Sequence, residues 1–224
     1  NQGRSRQGAL TMQLYYAPTS PFSRKVRVAL RELGLEKQVR EILIDPWTDD
    51  ALRAHNPLAK VPTLILPDGM AVYESAVICD YLDQVARASG ASDGIIPQDG
   101  IARLNALKWQ GLADGMMAAT GRLFADAQRP EDDRSDFVME RQAQAIQSSI
   151  DAILDGLASL RTEGAHLGTY SVLVGLYYID FRWPDRRFDI PVRVRDWMAI
   201  MSEREAFTET VFHLPHDTDH KSID

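Results

Sequence analysis

The hydrophobic periodicity of this chain changes once, near residue 90, and that change limits the possible folds more than any other sequence feature. In residues 12–88, short strand-like runs alternate with stretches whose apolar residues recur at helical spacing. Residues 89–100, SGASDGIIPQDG, have a composition typical of linkers. We therefore expect an α/β domain at 12–88, a linker at 89–100 and an all-helical domain at 101–224. Residues 1–11 are expected to be a disordered extension or the remnant of a tag.

The first domain is predicted to have the element order βαβαββα. The predicted strands cover residues 12–16, 39–45, 63–66 and 71–73, and helices follow the first, second and fourth strands. The first two strands are joined through a helix and should be parallel, whereas the last two should form an antiparallel hairpin. Ser75 is expected to cap the last helix, with Val77, Ile78 and Leu82 on its apolar face.

The second domain is predicted to contain helices only. They are expected at residues 101–128, 137–160, 170–182 and 192–203. The third of them is apolar on nearly all sides, as expected of a helix that is buried over most of its surface.

Composition excludes several classes of function. With 25 Lys and Arg against 32 Asp and Glu, the net charge is −7, which disfavours a nucleic-acid partner because phosphate binding needs a basic surface. No run of about 18 apolar residues occurs, so we expect no membrane span. The one cysteine, Cys79, cannot form an intramolecular disulfide, which indicates a reducing, cytoplasmic location. We expect Cys79 to be a small buried residue without a catalytic role.

The segment Ser20-Pro21-Phe22-Ser23 lies between the first predicted strand and the first predicted helix. Ser at the N-cap followed by Pro at the first helical position is a strong helix start, and this structural role would by itself explain Ser20. The same geometry leaves backbone N–H groups and the positive end of the helix dipole free to favour an anion, including a thiolate. On these residues alone both interpretations stay open.

Two later segments could complete a binding site. Pro62 opens the third strand, where its missing N–H costs no ladder hydrogen bond. Glu74 and Ser75 open the last helix of the domain and offer a carboxylate, a hydroxyl and free N–H groups. These groups suit a ligand that carries both an ammonium and a carboxylate. The alternative interpretation is a simple helix cap beside a favourable first-turn acid.

Together these motifs resemble the thioredoxin-fold half of cytosolic glutathione transferases. The resemblance rests on SPFS at the first helix, KVP before the third strand and ES at the last helix, and it covers about residues 12–212. The segments YYAPTSPFSRKVRVAL, NPLAKVPTLILPDGMAVYESAVICDYL and YYIDFRWP are similar to bacterial members with a serine-type active site. SPFS stands where glutaredoxins carry Cys-Pro-x-Cys, so the reactive sulfur would come from glutathione rather than from the chain.

The resemblance implies a role for the residues of the first turn. Ser20 would hydrogen-bond the glutathione sulfur and favour its thiolate, and Phe22 would line that site. Tyr15 or Tyr16 would be the catalytic residue in a tyrosine-type enzyme, but the SPF motif favours Ser20. Ser23 is a rival donor, although at the third helical position it is expected to point away.

The resemblance also assigns the other parts of glutathione. Lys60 would lie near the glycyl carboxylate, for which a cation is suited. Val61 would offer its backbone to the cysteinyl part, with Pro62 as the family's cis-proline. Glu74 and Ser75 would hold the γ-glutamyl group with its ammonium and carboxylate.

Other candidate residues have a structural explanation that is at least as good. Core packing is expected for residues on the helix where the family builds its electrophile pocket, namely Trp109, Met116 and Met117. The basic residues of the first helix are expected to form a solvated face, or else to favour a thiolate through their field; they are Arg24, Lys25, Arg27 and Arg31. The His and Asp residues of the tail are residue types that bind metals, but no secondary structure is predicted there to hold them. We therefore expect no metal at His213, His216, Asp217, Asp219 and His220.

The helix before the YIDFR-like segment departs from the family pattern at its start. Family members usually begin this helix with a Ser/Thr-x-x-Asp capping box, whereas the matching positions here are His166 and Thr169. We expect Thr169 or Ser171 to provide the cap instead. Loss of a good cap typically costs about 1 kcal/mol, which affects local stability rather than the fold.

We therefore expect a glutathione transferase that uses glutathione as co-substrate and presents its thiolate to a small electrophile. The resemblance implies a homodimer, and no metal is required. One alternative is glutathione-dependent isomerisation, dehalogenation or disulfide reduction at the same site. Another is a non-catalytic binding protein that keeps the fold, although the erosion of glutathione contacts expected of such a protein is absent from the sequence.

Overall fold

The computed structural model describes residues 11–215, and a four-stranded mixed sheet organises their first part. The elements there are β1 (Met12–Tyr16), α1 (Pro21–Glu32), β2 (Val39–Leu43), α2 (Asp50–His55), β3 (Thr63–Ile65), β4 (Ala71–Val72) and α3 (Ser75–Ser89). The strand order is β2-β1-β3-β4, with β1 parallel to β2 and antiparallel to β3, and β3 antiparallel to β4. The predicted βαβαββα order and both predicted pairings are confirmed, although β2, β3 and β4 end slightly earlier than expected.

The sheet, α1 and α3 enclose the first part of the hydrophobic core. Leu14 of β1, Val26 and Leu30 of α1, and Ile78 and Leu82 of α3 are each at most 1% exposed. Burial of a side chain of this size contributes about 1.5–3 kcal/mol relative to exposure. This packing holds the starts of α1 and α3 at fixed positions beside the sheet.

Helix α3 differs from expectation in its first turn. Glu74 rather than Ser75 occupies the N-cap, and no side chain there makes a capping hydrogen bond. Ser75 is the first helical residue and is buried. Val77, expected on the apolar face, is 53% exposed because it is turned by about 100° from Ile78 around the helix axis.

Helices make up the rest of the described chain. They are α4 (Gly100–Ala127), α5 (Asp136–Asp155), α6 (Leu157–Thr162), α7 (Leu167–Arg182), α8 (Val192–Met201) and α9 (Glu205–Thr208). Helix α7 packs along α4 and is buried without interruption from Leu167 to Leu176, as its apolar sequence predicts. The short helix α9 lies in a stretch for which the sequence predicts no helix.

The single helix predicted at 137–160 is wrong, because Gly156 separates α5 from α6. A Cβ at position 156 would lie 2.4 Å from the Trp109 indole, so a side chain there would collide with that ring. Glycine is also a poor residue for a helix interior, by about 1 kcal/mol relative to alanine. The close approach of Trp109 and the weak helix propensity therefore act at the same position.

The segment predicted as a linker is anchored to the fold. Helix α3 continues to Ser89 and ends at Gly90, whose φ of 71° glycine adopts without strain. In the loop that follows, the Asp83 carboxylate accepts hydrogen bonds from the Ile95 and Ile96 N–H groups at 2.5 and 3.0 Å. Both isoleucines belong to the hydrophobic core that runs through the sheet part and the helical part. The segment is therefore packed against the protein rather than extended in solvent.

His166 caps α7, contrary to the expectation that Thr169 or Ser171 would do so. Its Nδ1 accepts a hydrogen bond from the Thr169 N–H at 3.2 Å. Burial lowers the pKa of His166, and the opposing effect of nearby Glu163 is smaller. The neutral imidazole, which can accept this bond, is therefore favoured. An imidazole nitrogen thus accepts the capping hydrogen bond that a side-chain oxygen usually accepts.

The basic residues of α1 do not form the expected solvated face. Three of them are at most 8% exposed: Arg24, Lys25 and Arg27. The Lys25 ammonium contacts both carboxylate oxygens of Asp114 on α4, at 2.6 and 2.8 Å. Arg27 and Arg31 both pair with Glu41 on β2. Because α1 is packed against its neighbours, Lys25, Arg27 and Arg31 are neutralised by carboxylates instead of being solvated by water. Arg24 instead donates to the Phe207 carbonyl at 3.3 Å and lies 4.5 Å from the Phe212 ring centroid.

Candidate active site

A cavity of about 750 Å³ lies between the sheet part of the protein and helices α4 and α7. This volume lies within the range of about 300–1,000 Å³ that is usual for small-molecule sites. We call its two sides the sheet wall and the helix wall. The sheet wall contains every residue to which the resemblance assigns a contact with glutathione, namely Ser20, Phe22, Lys60, Val61, Pro62, Glu74 and Ser75. Three segments that are distant in sequence thus meet on one surface.

Ser20 occupies the N-cap of α1, directly after the turn that follows β1. Its Oγ accepts a hydrogen bond from the Ser23 N–H at 3.2 Å, which is the predicted capping interaction. That bond uses a lone pair and leaves the hydroxyl hydrogen free to be donated to a ligand. Pro21 fills the first helical position, and the Phe22 N–H that follows has no acceptor within the helix. The capping role of Ser20 is therefore compatible with a functional one.

The rival hydroxyl groups do not line the cavity. Ser23 is fully buried, and its Oγ has no hydrogen-bond partner among residues 11–215. The Tyr15 ring packs edge-on against His55, at 5.8 Å between ring centroids. The Tyr16 ring lies 4.4 Å from the guanidinium carbon of Arg27.

A buried asparagine that the sequence analysis did not single out shapes the loop before β3. The Asn56 amide donates hydrogen bonds to the Lys60 carbonyl at 3.0 Å and to Thr63 Oγ1 at 2.9 Å. The Thr63 hydroxyl donates in turn to the same carbonyl at 2.9 Å. These bonds fix the loop that carries Lys60 and Val61 along the sheet wall. The Val61–Pro62 peptide bond is cis, as the resemblance implies.

The start of α3 brings polar groups to the cavity that are not used within the helix. Glu74 is exposed and Ser75 is 3% exposed, and both line the cavity. Since no side-chain capping bond forms at this helix end, the N–H groups of its first turn are available to a ligand. A helix N-terminus beside a carboxylate can bind an anionic group and an ammonium together.

The sequence analysis assigned no role to the arginines of the helix wall, although Arg182 lies in the segment YYIDFRWP and Met117 was considered for an electrophile pocket. The helix wall consists of Met117, Ala118, Gly121 and Arg122 of α4, and Tyr178 and Arg182 of α7. Arg182 Nη2 donates to the Thr19 carbonyl at 3.4 Å, and Arg182 Nε donates to the Tyr178 hydroxyl at 3.2 Å. Arg182 thus connects the last turn of α7 to the loop that carries Ser20. Its position at the end of an apolar helix is a weak signal in the sequence, because basic residues commonly occupy helix C-termini.

The three residues considered for an electrophile pocket all belong to the core, and Met117, which is 1% exposed, also lines the cavity. Trp109 packs against Gly156 and Gly168, where an added Cβ would lie within 2.9 Å of its side chain. Met116 packs similarly against Gly175. Glycines of α7 and of the break between α5 and α6 thus accommodate these large side chains in the interior.

Cys79 is fully buried on α3, and burial raises the pKa of its thiol to about 12, so the thiol stays protonated.

Among residues 11–215, no three His, Cys, Asp or Glu side chains are grouped so that they could hold a metal ion. Residues 1–10 of the predicted extension lie outside the described residues. Most of the tail cluster also lies outside them, namely His216, Asp217, Asp219 and His220. No helix within the described range is long and apolar enough to cross a bilayer.

The sequence is similar to known proteins over most of its length. A family model for the N-terminal domain of glutathione S-transferases matches residues 19–85. The uncharacterized GST-like protein YibF of Escherichia coli K12 is 30% identical over 175 residues, which are 76% of this chain and 83% of that protein. The match therefore extends beyond the sheet part into the helical part.

Two solved structures of a glutathione transferase family member from Pseudomonas fluorescens Pf-5 share the fold. The structure with bound glutathione is 31% identical, has a TM-score of 0.82, and is matched over 91% of this chain and 100% of that chain. The structure with bound S-(propanoic acid)-glutathione is 30% identical, has a TM-score of 0.78, and is matched over 89% and 98%. Fold, motif positions and similarity over most of the sequence agree that this chain belongs to the glutathione S-transferase family.

Proposed function

We propose that this protein is a glutathione transferase that binds glutathione on the sheet wall and stabilises its thiolate with Ser20. The observation that carries the proposal is the single cavity onto which α1, the loop before β3 and α3 bring all the motif residues. The relative from P. fluorescens, which has the same fold and contains bound glutathione, supports the same ligand. The second structure of that relative, with a substituted glutathione, supports a cavity that also takes a group attached to the sulfur.

Each polar part of glutathione has a complementary group on the sheet wall. Lys60 supplies a cation for the glycyl carboxylate. Val61 supplies backbone groups for the cysteinyl part. Glu74 supplies a carboxylate for the ammonium of the γ-glutamyl group. Ser75 and the first N–H groups of α3 supply donors for its carboxylate. This orientation directs the sulfur to Ser20.

Ser20 then makes glutathione a better nucleophile. A thiol with an unperturbed pKa of about 8.5 is ionised to only a few per cent at pH 7. Lowering this pKa by about two requires roughly 2.7 kcal/mol of differential stabilisation. One hydrogen bond to a charged acceptor contributes about 1.5–3 kcal/mol. The N-terminus of α1 contributes about 0.3–1 kcal/mol more, so the stabilisation required lies within the range that Ser20 and the Phe22 N–H can supply together.

The reaction forms a carbon–sulfur bond and needs no metal. The thiol proton passes to water, and a sulfur lone pair attacks the electrophilic carbon. In a displacement, the leaving group departs with the electron pair of its bond to that carbon. In an addition to an activated double bond, the π electrons shift away from the attacked carbon and take up a proton from water. Ser20 donates its hydrogen bond to the thiolate until the sulfur charge is lost.

We also propose that the protein is a homodimer. Val77 of α3 and Ile101 and Leu104 of α4 are 53%, 70% and 60% exposed. A 3.4 Å contact between Asp80 of α3 and Arg103 of α4 joins the two helices, so that they form one continuous surface. A second copy would cover such an apolar surface by pairing it with itself. Leu104→Asp should then sediment as a 25.1 kDa monomer and the wild type at twice that mass, and a monomeric wild type would contradict the dimer.

Calorimetric titration of glutathione into the full chain tests the proposed function. We expect binding, and we expect Glu74→Gln to weaken it about tenfold because the ammonium loses its charged partner. Glu36→Gln, at an exposed glutamate outside the cavity lining, is the matched control and should leave the affinity unchanged. Failure of the wild type to bind glutathione would overturn the proposal.

A panel of electrophiles distinguishes the enzymatic alternatives. Aryl halides, haloalkanes and enones report transfer to carbon, whereas mixed disulfides report disulfide reduction. We expect turnover with a carbon electrophile. Turnover of mixed disulfides alone would assign a reductase. Glutathione binding without any turnover would assign a non-catalytic binding protein.

A further inference from the structure

We infer that the second substrate is an electrophile with a carboxylate or a similarly charged acidic group, and that Arg182 and Arg122 of the helix wall bind this group. The inference rests on the proposed function, because the helix wall faces the reactive sulfur only when glutathione occupies the sheet wall. It adds the chemical class of the second substrate.

Glu74, on the sheet wall, is the acidic residue among the described lining residues, and the basic lining residues are divided between the two walls. Lys60 and Arg53 lie on the sheet wall, where Arg53 donates to two nearby backbone carbonyls at 3.1 and 3.2 Å. The charged residues of the helix wall are the two arginines, and beside them lie Met117 and Ala118. An apolar surface with a cationic end is complementary to an apolar molecule with an anionic end.

Arg182 has no carboxylate partner within the part of the chain that the structure describes. Its guanidinium carbon lies 4.5 Å from the Phe124 centroid and 5.3 Å from the Tyr178 centroid. Its hydrogen bonds to the Tyr178 hydroxyl and the Thr19 carbonyl use the Nε hydrogen and one Nη2 hydrogen. The Nη1 hydrogens and the second Nη2 hydrogen therefore have no acceptor among residues 11–215. These remaining N–H groups can bind a carboxylate through two parallel hydrogen bonds.

Arg182 lies beside the place proposed for the sulfur. Its Nη2 is 3.4 Å from the Thr19 carbonyl oxygen, and the carbon of that carbonyl is bonded to the Ser20 nitrogen. Across the helix wall, a Cβ at Gly121 would lie 3.2 Å from the Tyr178 hydroxyl. The glycine thus keeps space open beside this hydroxyl. An acidic group held by Arg182 would leave the rest of the substrate in the cavity near Ser20.

Arg122 extends the positive region toward solvent. Its Nε bonds to Asp126 at 2.7 Å, but the same carboxylate also bonds to Arg129 at 3.2 Å. One carboxylate therefore serves two guanidinium groups, so Asp126 neutralises Arg122 only in part. The Arg122 side chain is 57% exposed, so it can attract an anion at the mouth of the cavity before Arg182 binds it.

The two carboxylates of glutathione itself have other partners in the proposed site. Lys60 faces the glycyl carboxylate and the start of α3 faces the γ-glutamyl carboxylate. These groups lie on the opposite wall, so they leave the arginines of the helix wall to the second substrate.

A matched pair of glutathione conjugates tests the inference by binding alone. S-(carboxymethyl)glutathione and its neutral isostere S-(carbamoylmethyl)glutathione would be titrated calorimetrically into the full chain, with glutathione as reference. We expect the wild type to bind the carboxymethyl conjugate about tenfold more tightly than the carbamoylmethyl conjugate. This preference should shrink as salt concentration rises, because Arg122 is exposed.

The variants locate the preference. Arg182→Gln should abolish the preference, with the affinities of both conjugates referred to that of glutathione in the same variant, and Arg122→Gln should reduce it. Arg182→Lys, which keeps the charge, should retain part of it. Arg141→Gln, at an exposed arginine of α5 that lies outside the cavity lining, is the control and should keep the preference. Circular dichroism and melting temperature show whether each variant is folded. If Arg182→Gln does not fold, Arg122→Gln and the salt dependence still test the preference.

Three results separate the claims. Equal binding of the two conjugates by the wild type would overturn the inference and leave glutathione binding intact. Equal loss of glutathione and both conjugates in folded Arg182→Gln would assign Arg182 to glutathione and also overturn it. No binding of any of the three ligands by the wild type would contradict the proposed function itself.

Discussion

The two walls of the cavity are built in different ways. The sheet wall consists of chain segments at the ends of strands and the starts of helices, where short side chains and backbone groups such as those of Ser20, Val61 and Ser75 face the cavity. The helix wall consists of side chains that project from α4 and α7, such as Arg122 and Arg182. A site made from turns is encoded in short, local sequence motifs. A site made from helix faces depends on which faces meet, and that is set by packing over long sequence distances.

The largest expected effect concerns the ion pair that holds the two walls together. Asp114→Asn removes the counter-charge of the fully buried Lys25, which links α1 of the sheet wall to α4 of the helix wall. Removal of one partner of a buried pair costs about 3–5 kcal/mol, and we expect a loss of about 3 kcal/mol in urea unfolding because Asp114 is partly exposed. Asp80→Asn, in the more exposed pair with Arg103, should cost less than about 1 kcal/mol. Equal costs for the two variants would show that Lys25 does not need Asp114.

The next effect concerns the sheet wall alone. Asn56→Ala removes the donor to the Lys60 carbonyl and to Thr63 Oγ1 inside the fold. We expect a loss of about 2 kcal/mol in unfolding free energy, with weaker glutathione binding because the loop that carries Val61 is released. Asn105→Ala, which removes an exposed amide bonded to Glu163 at 3.3 Å, is the control and should be nearly neutral. If Asn56→Ala lowered stability without affecting glutathione binding, the loop would not be positioned by Asn56.

These residues also show what sequence can and cannot predict here. The element order, both predicted strand pairings and Ser20 at the N-cap follow from local patterns of turns, caps and periodicity, and the resemblance implies the common site of Lys60 and Glu74. Lys25 was expected in solvent because a helix with four cations normally turns them outward, and the carboxylate of Asp114 lies 89 positions away in sequence. The break at Gly156 was missed because its cause is the Trp109 ring on another helix. Arg182 was missed for the same reason, since its distance from Ser20 is set by packing.

The smallest expected effect is a pH dependence of the unfolding free energy that arises from the helix wall and not from the sheet wall. Helix α7 of the helix wall begins with a titratable cap, His166, whereas α1 begins with Ser20. Because burial holds the folded-state pKa of His166 below its ordinary value of about 6.5, the unfolded chain binds this proton more readily. The stability that His166 contributes is therefore fully present above about pH 6.5 and is lost as pH falls through the folded-state pKa.

His166→Asn gives α7 a cap that does not titrate. We expect the variant to lose about 1 kcal/mol less than the wild type in unfolding free energy when pH falls from about 7.5 to about 5. His55→Asn, at an exposed histidine of α2, should keep the pH dependence of the wild type. The same pH dependence in wild type and His166→Asn would remove His166 as its source.

The central claim is that Ser20 stabilises the glutathione thiolate, and titration of bound glutathione by its ultraviolet thiolate absorbance tests it most directly. We expect the bound thiol to have a pKa below about 7 in the wild type and in Ser23→Ala, because Ser23 Oγ is buried and lies outside the cavity lining. In Ser20→Ala the pKa should rise toward about 8.5, the value of a free thiol. A bound-thiol pKa that is the same in wild type and Ser20→Ala would contradict the account.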